Sequence, residues 1–323
     1  MGRFVIALGG NAIIQPGQRG TADEQLTNVN AACRHIAELV ASGVQVVLTH
    51  GNGPQVGNAL IRSEKGSVEV PPLPLDVCGA ETQGELGYYI QQALGNHLRR
   101  RGVVKTVATV VTQTCVDRDD PAFANPTKPV GPFYDEDRAQ QLRRALGWIM
   151  VEDSGRGWRR VVPSPIPKRL METAAVKALL EAGAVVVASG GGGVPVTTLP
   201  DGSLAGVEAV IDKDLAAAVL ARDVKANCLI ILTDVDGAYV AYRKPGQRLL
   251  RRLSVVEAER LLEAGEFGVG SMGPKVRAAV SFARMGGTAL ITALEALTPA
   301  LAGETGTLVN AAPPDSAVAA SED

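Results

Sequence analysis

Apolar residues recur along this chain in two alternating patterns. In short unbroken runs they follow one another directly, and in longer stretches they return every third or fourth position. The runs read as strands covered on both faces and the stretches as helices lying against a sheet. The first run, Phe4, Val5, Ile6, Ala7 and Leu8, empties abruptly into Gly9, Gly10 and Asn11. Thr21 and Glu24 then form a capping box ahead of Leu26, Val29, Ile36, Leu39 and Val40 at helical spacing, closed by Gly43. A second strand over 44–48 again exits into glycines, here His50, Gly51, Asn52, Gly53 and Pro54. A helix over 76–101 follows, whose Gly79, Gly84, Gly87 and Gly95 mark close packing or breaks, and then a strand over 103–111.

Beyond that strand the periodicity lapses. Residues 117–132 (DRDDPAFANPTKPVGP) carry four prolines and read as an ordered excursion or lid with Lys128 inside it. A short helix over 135–146 and a hairpin of 148–152 with 158–162 complete a small projecting subdomain at about 117–167. The second half repeats the first. A helix over 171–182 leads to a strand over 184–188, which empties into Ser189 and four consecutive glycines. A hairpin over 194–210 turns at Asp201 and Gly202, and Asp212, Lys213 and Asp214 head an alanine-rich helix over 215–221. A strand over 227–232 opens into a turn and hairpin, TDVDGAYVAY. Ser254 and Glu257 cap a helix reaching 262, and strands over 288–291 and 305–310 end the pattern, the last as an edge. Strands alternating with helices predict a doubly wound α/β sheet.

Composition narrows the class. A chain of 323 residues, 46% hydrophobic, holds one large domain or two lobes. A formal net charge of −2 without a like-charge run leaves no electrostatic footprint for nucleic acid. No run approaches membrane-spanning length, and Gly9 to Asn11 break the N-terminal apolar run too early for a signal peptide, so the expectation is a cytoplasmic protein. Cys33, Cys78, Cys115 and Cys228 lie far apart, as buried thiols do and zinc ligands do not. The tail 311–323, small and acidic, is expected to be disordered.

The candidate chemistry lies at the strand exits. Glycine turns after buried strands let backbone N–H groups approach an anion, though each alone fits a plain strand-to-helix turn. The four glycines after Ser189 fit a flexible linker or a close backbone approach to phosphate. Lys213 between two aspartates fits a solvated helix start, with Asp212 as N-cap, or a charged site. GVGSMG (268–273) matches the dinucleotide fingerprint, but a helix ending near Ala264 stands where that fingerprint needs a strand, so an NAD site is rejected. Pro274 instead opens a helix from whose N-terminus Lys275 projects. With glycine turns and lysines but no Walker motif, nucleophile elbow or metal-ligand cluster, the chain carries the parts for phosphoryl transfer by positioning and charge neutralisation. Mg²⁺ would bridge the nucleotide phosphates.

On ALGGNA (7–12), HGNGPQVGN (50–58), NPTKPVGPF (125–133), GRGWRRVVPSP (155–165), GGGGVPV (190–196), GVEAVIDKD (206–214) and GSMGPK (270–275), the chain resembles the carbamate kinases of the amino acid kinase superfamily. The likeness runs from residue 1 to about 310. It implies an open three-layer α/β/α sandwich, mostly parallel in its central sheet. A lobe at 1–188 would bind carbamate or carbamoyl phosphate, and a lobe at 189–310 ATP or ADP. A homodimer and reversible transfer between ATP plus carbamate and ADP plus carbamoyl phosphate are implied as well. Carried over by position, Lys128, Lys213 and Lys275 would act on the transferring phosphoryl group and Asp214 would hold the lysines. Gly10, Asn11, Gly51, Asn52 and Gly53 would surround the substrate. Gly9, Ser189, Gly190, Gly191, Gly192, Thr233, Asp234 and Met272 would line the nucleotide site, with Mg²⁺ held through the nucleotide rather than by a protein metal site. Two departures are the TDVDG hairpin, closer to other amino acid kinases, and the extension after Asn310. A kinase acting on another small carboxylate and a silent phosphate-metabolite sensor are the alternatives. The three lysines together argue against a sensor, which needs only the glycine turns.

Overall fold

The computed structural model describes residues 2–153, 155–268 and 271–311. Ser154 of the expected hairpin turn, Val269 and Gly270 of GVGSMG, and the tail from residue 312 lie outside the described residues. An eight-stranded sheet runs through the molecule in the order Arg252–Ser254, Thr307–Asn310, Thr288–Ala293, Cys228–Thr233, Arg3–Leu8, Gln45–His50, Val185–Val187, Val107–Thr109. Its pairings are parallel except between Thr288–Ala293 and Thr307–Asn310.

The first strand sits at the centre because both of its faces are apolar. Val5 and Ala7 pack into one core, with side chains of the helices Thr173–Glu181, Lys213–Asp223, Val255–Glu263 and Met272–Arg284. Ile6 and Leu8 pack into the other, beneath Ala22–Ala41 and Leu75–Arg100. The result is the expected three-layer α/β/α sandwich with a mostly parallel sheet. Both capping boxes form, Thr21 with Glu24 and Ser254 with Glu257, and Asp212 caps Lys213–Asp223.

Three expectations are corrected. The strand expected over 103–111 pairs only at Val107–Thr109, because Thr112 exchanges backbone hydrogen bonds with the side chain of Gln83 and leads the chain out of the sheet. It then enters a second sheet, Leu204–Gly206, Val194–Thr198, Gln113–Val116 and Pro167–Leu170, of which the first two are the expected hairpin within 194–210 and the last two are hidden from the periodicity. The terminal strand Thr307–Asn310 is not an edge: Arg252–Ser254 pairs outside it. Finally, part of the proline-rich excursion is a strand, Lys128–Tyr134, pairing with Trp158–Val162, which pairs in turn with Ile149–Glu152. Pro129, Gly131 and Pro132 argued against a strand. They are tolerated because this one lies at the edge of its sheet and its register shifts between Val130 and Tyr134.

The projecting subdomain is held by charge and aromatic faces as much as by apolar burial. Arg143 lies over Trp158, Arg160 over Trp148, and Arg156 and Arg159 over Phe133. It docks on the helix Gly53–Gly66, where Glu64 accepts from Tyr134 Oη at 3.0 Å and pairs with Arg138 at 2.5 Å.

The glycines of Leu75–Arg100 divide into two kinds. A Cβ at Gly87 would lie 2.2 Å from Cγ2 of Thr109, so this glycine lets the helix press on the edge strand, whereas one at Gly84 would meet nothing within 4 Å. Gly84→Ala should therefore stabilise by about 0.5–1 kcal/mol through lower unfolded-state entropy. Gly87→Ala should destabilise by about 1–3 kcal/mol through overpacking. Urea midpoints of the two variants should move in opposite directions, and a shared direction would contradict the packing assigned to Gly87.

Candidate active site

The registers of the parallel strands assemble the site before any side chain is considered. Leu8 lies opposite His50, Leu48 opposite Val187, and Ala7 opposite Ile231. The turns at 9–11, 51–53, 189–193 and 233–234 therefore all leave one carboxyl edge of the sheet, the ligand-binding edge of doubly wound folds. A Cβ at Gly10 or Gly53 would meet nothing within 4 Å, which leaves open space in front of both turns. At Gly51 it would meet the stem of Lys213 at 3.4 Å and Gly10 N at 3.8 Å, so the two turns and this lysine share one space. The helices Gly53–Gly66, Lys213–Asp223 and Met272–Arg284 begin around that space, adding the positive ends of their dipoles.

Lys213, Asp214 and Lys275 form one charged unit. Lys213 Nζ lies 2.5 Å from Oδ1 of Asp214, and Lys275 Nζ lies 3.0 Å from its Oδ2. Burial alone would raise the Asp214 carboxyl, but the two ammonium groups outweigh it and hold it at about 2. Asp214 is thus an anion at neutral pH that orders two cations and takes no proton. Burial pushes Lys213 down, with Lys275 adding to the effect and Asp214 opposing it. Lys128 reaches the same helix start from the projecting subdomain, with Nζ 3.4 Å from Oδ2 of Asp212.

The turn after Val185–Val187 packs directly against the turn at 50–52. A Cβ on Gly190 would stand 2.4 Å from Nε2 of His50, and one on Gly191 2.2 Å from Nδ2 of Asn52. Those on Gly192 and Gly193 would strike Ile211 O at 2.8 Å and Thr114 Oγ1 at 2.1 Å. The four glycines are therefore explained by close packing of chain on chain. They bring Ser189, Gly190, Gly191 and Gly192 beside the turn at 51–53. Ser189 has φ of 56°; its N–H donates to Thr112 Oγ1 and its carbonyl accepts from Thr49 Oγ1, which pins the turn from both sides. Asn52, in turn, donates to Thr82 Oγ1 at 2.7 Å.

Thr233, Asp234 and Met272 do come together. With Tyr239, Tyr242, Arg243, Phe267 and others they line a cavity of about 310 Å³. Tyr239 and Tyr242 face each other at 5.9 Å between ring centroids, so the cavity offers aromatic faces beside polar groups, as a flat heteroaromatic base requires. Asn11 Nδ2 donates to Asp234 Oδ2 at 2.5 Å and ties the first turn to this cavity. Gly9 approaches the same side, its Cβ position 3.0 Å from Leu232 O. Reasoning from sequence missed Tyr239, Tyr242, Arg243 and Phe267; the two tyrosines leave a local signal as an aromatic pair in the hairpin, whereas Arg243 and Phe267 leave none. It also missed the second role of Asp212, which locally is a helix cap. A larger cavity of about 910 Å³ at the Val107–Thr109 edge holds none of the candidate residues.

The sequence profile of the amino acid kinase family matches residues 2–293. The chain belongs to the amino acid kinase family. Within that family it is 56% identical to the carbamate kinase of Pyrococcus furiosus over 95% of this chain and 98% of the relative. To carbamate kinase 2 of Enterococcus faecalis it is 49% identical over 91% of this chain and 94% of the relative. The solved carbamate kinase of Giardia lamblia bound to AMP-PNP superposes with a TM-score of 0.91 at 43% identity, covering 96% of this chain and 98% of that one. The projecting subdomain and the charged unit thus sit in a chain alike over nearly its whole length to these kinases.

His50 gives this site a measurable signature. Burial pushes its imidazole from 6.5 down to about 4, with Lys213 adding and the Gly51 carbonyl opposing. Nδ1 lies 3.0 Å from that carbonyl and donates to it, and burial keeps the ring neutral at pH 7. Because the folded value lies below the unfolded one, acidification protonates the unfolded chain first. The His50 contribution is complete above about pH 6.5 and is lost as pH falls toward 4. Between pH 7 and 5 it should remove about 2 kcal/mol of stability. In urea unfolding at both pH values, His50→Gln should show a smaller pH difference by about that amount, and an unchanged difference would contradict a buried neutral ring.

Proposed function

We propose that this chain is a carbamate kinase, which transfers a phosphoryl group reversibly between ATP and carbamate, giving ADP and carbamoyl phosphate. The observation that carries the reading is the buried Lys213–Asp214–Lys275 unit at the meeting point of two glycine turns, in a chain 49–56% identical to enzymes named for this reaction. A carbamate oxygen forms a bond to the γ-phosphorus while the bond from that phosphorus to the β,γ-bridging oxygen breaks. Carbamate is already an anion, so no general base is needed, consistent with Asp214 being held ionised and engaged. Lys213 and Lys275 neutralise charge spread over the equatorial oxygens, Lys128 reaches in from the projecting subdomain, and N–H groups of the turns at Gly10, Asn11, Gly51, Asn52 and Gly53 orient the substrate.

In this reading the half of the sheet from Arg3–Leu8 to Val107–Thr109 holds carbamate and the half with Cys228–Thr233 and Thr288–Ala293 holds the nucleotide. Segment 189–206, set by sequence in the second lobe, goes with the first, as the pairing of Val194–Thr198 with Gln113–Val116 supports. The base occupies the Tyr239, Tyr242 and Phe267 cavity, with Thr233, Asp234 and Met272. ATP would act as its Mg²⁺ complex. Both Asp214 oxygens are engaged by lysines, whereas Asp234, a hard oxygen donor beside Asn11 in the nucleotide cavity, is suited to meet a metal carried on the phosphates. The metal would supply charge neutralisation there.

We place the enzyme in the cytoplasm, where four buried unpaired thiols are stable. No helix of the described residues is long and apolar enough to cross a membrane. A homodimer fits the uncovered edge strand Val107–Thr109, beside which Tyr88 and Val104 are exposed. Light scattering should then give twice 33.6 kDa.

Purified protein given MgADP and carbamoyl phosphate should form ATP, and the absence of ATP would refute the reading. Lys213→Ala should lower kcat by about 10²- to 10⁴-fold, roughly 3–5 kcal/mol, with a smaller change in KM. Asp214→Asn should fall comparably, and the double variant should be far less impaired than the sum. Additive losses would show that the two residues do not act as a unit.

A further inference from the structure

Asp212 uses its two oxygens for two purposes. Oδ1 accepts from Asp214 N–H at 3.0 Å and Leu215 N–H at 3.3 Å, capping the helix that carries Lys213 and Asp214. Oδ2 faces Lys128 Nζ at 3.4 Å across 84 residues of sequence, from the first residue of the edge strand Lys128–Tyr134. This pair differs in kind from the one beside it. Asp214 is 5% exposed and grips its lysines at 2.5 and 3.0 Å, whereas Lys128 and Asp212 are 38% and 19% exposed. Charge-assisted N–H···O bonds settle near about 2.7–2.9 Å, so the Lys128 pair is long and partly exposed, and is the pair suited to exchange when another anion arrives. Exchange leaves the helix intact, because the capping oxygen is not the one that lets go.

We propose that Asp212 is a positioning residue that serves as the internal counter-ion of Lys128. It parks the lysine at the head of the helix bearing Lys213 and Asp214 while no phosphoryl group is bound, and yields it to phosphoryl oxygens on binding. The inference rests on the phosphoryl-transfer reading above. An internal anion competing for Lys128 lowers the apparent affinity for an external one by the fraction of time the lysine is occupied. It also speeds release, since a carboxylate stands ready to take the lysine back. The arrangement thus exchanges binding strength for turnover at the one cation of the three that comes from a separate subdomain.

Asp212→Asn isolates the effect, because asparagine caps a helix as well as aspartate does while removing the charge. Inorganic phosphate is the probe, titrated calorimetrically so that the readout does not depend on activity. Its Kd should fall about 3- to 10-fold in Asp212→Asn, with Tm unchanged, and the gain should vanish when the same substitution is made in Lys128→Ala. An unchanged or weaker Kd would overturn the proposal and leave Asp212 a cap only. An equal gain in the Lys128→Ala background would overturn it too, as the general field of one lost charge. Wild-type protein that binds phosphate but forms no ATP from MgADP and carbamoyl phosphate would instead sink the functional reading.

Discussion

A carboxylate buried between two ammonium groups sets the terms for the rest of this molecule. Asp214 cannot be desolvated alone, nor can Lys213 or Lys275, and removing one partner from such a cluster typically costs about 3–5 kcal/mol. The lysines belong to different helices, so the cluster holds Lys213–Asp223 and Met272–Arg284 in contact at their N-termini. Small side chains contribute on both helices. Ala217, Ala218 and Ala221 of one helix and Ala279 and Ala283 of the other are buried in the same core, which lets the backbones approach closely. An alanine-rich helix that looks featureless in sequence is thereby part of the charge geometry.

The sheet supplies the other half of the arrangement. In a parallel sheet every strand delivers its exit to one edge, and the helix that follows starts there, so backbone N–H groups and dipole ends accumulate where the lysines project. Two ammonium groups flank the site's central carboxylate, and neither Asp214, held ionised, nor His50, held neutral, is poised to take a proton. That combination suits transfer of an anionic group to an acceptor that is itself an anion.

Close packing explains the four glycines after Ser189. Around Ser189 the chain passes so near His50, Asn52, Ile211 and Thr114 that side chains at the four following positions would collide with them. The turn therefore braces the loop at 50–53 from a segment about 140 residues away, with a hydrogen bond from Thr49 Oγ1 to Ser189 O beside it. The projecting subdomain is braced differently, by arginines over aromatic rings and by Glu64, with Lys128 as its extension toward the site.

What the sequence determined by itself is what depends on neighbours a few positions apart. The capping boxes at Thr21 and Ser254, the apolar strands, the glycine exits after Leu8 and His50, and the placing of Lys213 and Lys275 at helix starts all follow from local period and local hydrogen bonding. The α/β class follows from their alternation. Tertiary structure alone decided which turns share a space. The pairing of Asn11 with Asp234 spans 223 residues and that of Lys128 with Asp212 spans 84. The four glycines found their partners in chain rather than in ligand, and a strand survived two prolines because it lay at an edge. The physical reason is the same in each case. Periodicity reports which face of an element is buried, but strand order and register across crossovers decide what that face, or that turn, is buried against.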